Sequence, residues 1–114
     1  MAEAYVQVTT TTEAREDAER IARTLVEERL AACVQVVGPI RSTYWWEGKV
    51  VVAEEWLCLA KSRQDLYPSL ERRLKAMHPY TVPEILATPV VAGNPDYLAW
   101  LRDETKEPSD AQGR

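Results

Sequence analysis

Tyr5-Val6-Gln7-Val8 alternates apolar and polar positions, which predicts a first strand, and the threonine run Thr9 to Thr12 leads from it into a helix start. Thr10 and Glu13 have the spacing of a capping box, and Thr12 is an equally good cap. Ala14, Ala18, Ile21, Ala22, Leu25, Val26 and Leu30 then share one helical face, with Arg15, Glu19, Arg23 and Glu27 mostly opposite. From Cys33 the pattern turns to strand: Val34-Gln35-Val36-Val37, a break at Gly38-Pro39, Ile40 to Trp46, a turn at Glu47-Gly48, and Val50 to Lys61. A two-residue loop sets Trp46 opposite Lys49 and Tyr44 opposite Val51. A three-residue loop with Gly48 as its left-handed residue shifts the register by one. Either way Ser42, Tyr44 and Trp46 share one face of their strand, and Glu55, Leu57, Leu59 and Lys61 share one face of the next.

A second helix begins near Asp65, because Pro68 fits the first turn, where its missing N–H is not needed. Leu66, Leu70, Leu74 and Met77 form its apolar stripe. Pro79 ends it and pushes His78 into extended geometry. Residues 83–91 read as a last strand whose prolines mark a sheet edge or a bulge. Asn94-Pro95 then starts a short helix through Trp100 and Leu101. The order β-α-β-β-α-β predicts an α+β, ferredoxin-like sandwich with a short C-terminal helix, as one domain over residues 1–104 and a disordered polar tail over 105–114.

The hairpin is too long for this frame. A strand of about 12 residues spans roughly 40 Å at 3.3 Å per residue, more than a 100-residue domain with a radius of gyration of roughly 13 Å encloses. Part of it therefore projects, carrying Tyr44, Trp45, Trp46 and Val50-Val51-Val52, and a second subunit is the natural cover.

Composition narrows the partners. A net charge of -4 argues against a nucleic-acid partner held through phosphates. The uncharged runs Leu30 to Ile40 and Ile85 to Pro95 are far shorter than the roughly 20 residues of a membrane span. Met1-Ala2-Glu3 lacks the basic and apolar segments of a secretory signal, so a cytoplasmic location with reduced Cys33 and Cys58 is expected.

His78 is the only histidine, so a metal site with several histidines from one chain is excluded. It remains a weak candidate ligand for copper or another divalent cation, with Met77 as a soft neighbour; at a helix C-terminus it can equally bond the last carbonyls. Cys33 and Cys58 read as packing residues. Glu55 and Lys61 lie on one strand face about 20 Å apart, and Tyr80 and Glu84, which follow His78, are the polar groups best placed to join them. Neither a phosphate loop nor a nucleophile motif is present, so the residues indicate no catalysis.

Leu30-Ala31-Ala32-Cys33-Val34, Ser42-x-Tyr44-x-Trp46-Glu47-Gly48-Lys49, Glu55, Lys61, His78-Pro79-Tyr80, Val82-Pro83-Glu84, Pro89-Val90, Gly93 and Tyr97-Leu98-x-Trp100 together resemble the CutA family of divalent-cation tolerance proteins. The resemblance covers about residues 5–102. It implies a cytoplasmic, non-enzymatic homotrimer of ferredoxin-like subunits joined by sheet edges, connected with tolerance to copper and other divalent cations and similar in architecture to PII signalling proteins. No cofactor is required. Some members carry ligand candidates at a cysteine and two consecutive histidines, where this chain has Thr10, Met77 and His78. Two functions follow as expectations: metal tolerance with direct copper binding, or a PII-like sensor holding a small ligand between subunits. In both, Tyr44, Glu55 and Lys61 of one subunit face the His78 to Glu84 segment of its neighbour.

Overall fold

The computed structural model describes residues 4–108. Four antiparallel strands, β1 (Tyr5–Thr12), β2 (Cys33–Trp46), β3 (Lys49–Arg63) and β4 (Leu86–Val90), form one sheet in the order β2-β3-β1-β4. The helices are α1 (Arg15–Glu27), α2 (Tyr67–Met77, entered through a short 3₁₀ turn at Gln64–Leu66) and α3 (Pro95–Asp103).

The core follows from the period-2 pattern. Val6 and Val8 of β1 and Cys58 and Ala60 of β3 face the helices, where Ala18, Ile21 and Leu25 of α1 and Leu70 and Leu74 of α2 meet them. Burying each large aliphatic side chain contributes about 1.5–3 kcal/mol. Leu30 is buried as expected but lies past the end of α1. Arg29 turns the chain at φ 61, and the Leu30 and Ala31 amides both donate to the Leu25 carbonyl, closing the helix end.

Neither threonine caps α1. β1 stays paired with β3 as far as Thr12↔Trp56, so Thr10 and Thr12 are held in strand geometry, which suits their branched side chains. Thr12 Oγ1 donates instead to the Ala14 carbonyl at 2.8 Å, and the buried Thr10 Oγ1 has no partner among the described residues. α3 begins as its sequence demands, with Asn94 Oδ1 accepting from the Asp96 amide at 2.9 Å and Pro95 in the first turn.

The two-residue loop holds. Trp46 pairs with Lys49 and Tyr44 with Val51, and both Glu47 (φ 50) and Gly48 (φ 79) are left-handed, the geometry of a type I′ turn. Gly48 suits that geometry without strain, whereas Glu47 tolerates it. Beyond Ile40↔Glu55 the hairpin pairs with no other strand among the described residues, and the molecule measures 46 × 32 × 24 Å. A bulge at Gly38-Pro39 adds one residue to β2. Gly38 lies against the Trp56 ring so closely that any Cβ there would enter it.

The expected domain end at residue 104 falls short. Thr105 is buried, and the Lys106 amide donates to the Arg29 carbonyl at 2.9 Å. Arg63, 2% exposed at the end of β3, explains why: its guanidinium bonds Asp65, the Arg102 and Lys106 carbonyls and Thr105 Oγ1. Tail residues 109–114 lie outside the described residues.

Candidate functional site

The chain leaves α2 at His78, extended at φ -76 and ψ 138 as its following proline requires, and crosses the end of β1 on the way to β4. The crossing buries the ring, leaving His78 8% exposed. Its Nε2 lies 2.9 Å from the Thr11 carbonyl oxygen, which can only accept, so Nε2 carries the proton. The other nitrogen, Nδ1, accepts from the Tyr80 amide at 3.1 Å. Burial pushes the imidazole pKa below its ordinary value, more than the Thr11 bond and the nearby Asp17 raise it, consistent with this neutral tautomer.

Those two bonds aim Tyr80. Its ring lies 4.9 Å from that of His78, and its hydroxyl donates to Glu55 Oε2 at 2.6 Å, a short charge-assisted bond. The phenol pKa is raised, first by burial, then by the Glu55 bond and charge, with Glu13 and Tyr44 adding to it. Glu55 and Tyr80 thus come together within one chain, and Tyr44, half exposed, stands on the Glu55 face of the hairpin.

The remaining residues of the expected cleft disperse. Lys61 Nζ bonds Gln35 Oε1 at 2.8 Å, farther along β3, and exposed Glu84 accepts from Thr9 Oγ1 at 3.5 Å. Met77 packs against the core. Glu13 and the Thr11 carbonyl belong to the cluster but were not anticipated; a backbone acceptor leaves no mark on residue identity.

The His78 geometry is a poor fit for a cation. One ring nitrogen carries a proton and the other is engaged by an amide, so ligation there must break a bond that holds the crossing in place. Among the described residues, no group of three or more His, Cys, Asp or Glu side chains could hold a metal ion.

A family model described as CutA1 divalent ion tolerance protein matches residues 6–104. The chain belongs to this family. It is 52% identical over 95 residues to the divalent-cation tolerance protein CutA of Thermus thermophilus, covering 83% of this chain and 92% of the relative. A solved Thermus thermophilus structure superposes with a TM-score of 0.87 at 49% identity, over 90% of this chain and 99% of that one, which fits the ferredoxin-like CutA1 fold. The rice protein named CutA 1, chloroplastic, is 45% identical over 93 residues; the match covers 82% of this chain and 52% of the relative. A structure from Archaeoglobus fulgidus, described as a periplasmic divalent cation tolerance protein CutA, matches with a TM-score of 0.86 at 38% identity, over 90% and 99% of the two chains. CutA1 relatives are thus named for different compartments. Among the described residues, no helix of this CutA1 chain is long and apolar enough to cross a membrane.

Proposed function

We propose that this CutA1 chain serves divalent-cation tolerance as a non-enzymatic, cytoplasmic homotrimer, with copper bound between subunits and not by His78. Membership of the family supports the tolerance role. The observation that supports assembly is the projecting β2-β3 hairpin on a sheet whose two edge strands, β2 and β4, pair with nothing further among the described residues, with Trp45 74% exposed near its tip. Sedimentation equilibrium at micromolar concentration is expected to give three times the 13.0 kDa chain mass. Trp46→Glu, which puts a charge at the tip, is expected to lower that mass. A wild type that sediments as a single chain removes the proposal.

Copper titration calorimetry on wild type and His78→Ala tests the metal reading. The engaged ring nitrogens lead to the expectation that copper affinity is the same in both proteins. A His78→Ala protein that keeps its fold but loses copper binding returns the ligand role to His78.

A second reading, the PII-like sensor with a small ligand in an inter-subunit cleft, is favoured by Glu55, a buried carboxylate bonded to a single phenol.

A further inference from the structure

Glu55 is the only Asp or Glu among the described residues whose side chain is buried, at 7% exposure. Among the described residues its sole hydrogen bond comes from the Tyr80 hydroxyl, and no Lys or Arg pairs with it. A carboxylate taken out of water against one neutral donor costs several kcal/mol unless a cation offsets it. Two carboxylates, Glu55 and Glu13, lie close enough to the Tyr80 phenol to push its pKa upward. Two carboxylates thus meet at this corner, and Arg20, a cation that acts on the adjacent His78 ring, bonds Asp17 and the Met77 carbonyl and not Glu55.

The hairpin register gives the corner a shape. Direct partners across the ladder share a face, so Ile40↔Glu55, Ser42↔Ala53 and Tyr44↔Val51 form three successive rungs on one side of the hairpin. Rungs on one face are roughly 6.6 Å apart, two residues at about 3.3 Å each. The middle rung carries the two smallest side chains, Ser42 and Ala53, leaving a trough with Glu55 and Tyr80 at one end and the Tyr44 ring at the other. Ser42, Ala53, Val51 and Ile40 are half-buried, whereas Thr43, Trp45, Val52 and Glu54 on the opposite face are exposed.

We propose that this trough binds an organic cation, an ammonium or guanidinium head set against Glu55 with its apolar stem toward Tyr44 and Val51. A carboxylate supplies the charge and an aromatic face a further attraction of about 0.5–2 kcal/mol. A divalent metal fits worse: calcium takes six or more oxygen ligands and magnesium six, and one carboxylate beside a neutral phenol is too few. The cation comes either from a free small amine or from a basic side chain of a neighbouring copy. The proposal rests on the inter-subunit cleft reading above.

The test uses the full chain, wild type and Glu55→Gln, which keeps an acceptor for Tyr80 and removes the charge. Glu27→Gln on the outer face of α1 serves as control, and thermal melts establish that all three fold. Titration with n-butylammonium chloride is expected to show binding to wild type and to Glu27→Gln, at least tenfold weaker in Glu55→Gln; this assigns a free amine. If the amine does not bind and Glu55→Gln alone lowers the sedimentation mass, the cation is the neighbour's side chain. Glu55→Gln changing neither measurement overturns the proposal. So does copper or magnesium binding that only Glu55→Gln abolishes, a result that would leave the metal-tolerance reading standing.

Discussion

Arg63→Met is expected to destabilise the fold by about 3–5 kcal/mol, the usual result of removing one partner from a buried charged network. The methionine keeps the apolar stem but strands the Arg102 and Lys106 carbonyls, Thr105 Oγ1 and Asp65, all of which the guanidinium bonds. These groups tie three parts of the molecule together: the end of β3, the end of α3 and the segment after it. Deleting residues 105–114 removes two of the acceptors and the bond from the Lys106 amide to the Arg29 carbonyl, so it should destabilise in the same direction. Urea unfolding monitored by circular dichroism measures both. A truncated protein with wild-type stability would show that the segment is dispensable.

His78→Ala should cost about 2–4 kcal/mol, since it leaves the Thr11 carbonyl without its donor and the Tyr80 amide without its acceptor, each worth about 1–3 kcal/mol when buried and unmet. The same ring makes stability depend on pH. Its pKa is lowered in the folded protein, so between that value and the unfolded 6.5 the unfolded chain binds more protons. The contribution is fully present above about 6.5 and declines as pH falls through that window, because a protonated Nδ1 cannot accept from Tyr80. Asp17, Arg20 and Glu55 are the charged groups that act on the ring. Wild type should lose more stability between pH 7.5 and 5.5 than His78→Gln, which cannot titrate; equal losses would show that the ring does not govern this window.

The hairpin was legible because two runs of β-forming residues, Tyr44-Trp45-Trp46 and Val50-Val51-Val52, flank a short turn at Glu47-Gly48. The turn type was not, since Glu47 is not a residue that advertises left-handed geometry. Gly38-Pro39 could be read as a break, but its effect on the faces could not. Val37 and Ile40, three apart, end on the same side because the extra residue has no partner in β3. The threonine run suited strand and cap equally, and pairing with β3 decided it. At the site, Tyr80 and Glu55 could be named but not joined, because β3 and the segment after α2 meet only in the folded chain. His78 looked like a free ligand because both its partners are backbone groups. Arg63 was missed altogether; nothing about an arginine at a strand end announces a socket formed by residues some forty positions later.

Cys58 leaves the protein with an internal clock. Its thiol is sealed between β3 and α1, with Sγ 3.6 Å from the Ala18 carbonyl and burial raising its pKa to about 11, while Cys33 is half exposed. An alkylating reagent needs thiolate and access, and Cys58 offers neither until the helix lifts from the sheet. The slow fraction of thiol modification thus times that opening from within the native chain, with no label added.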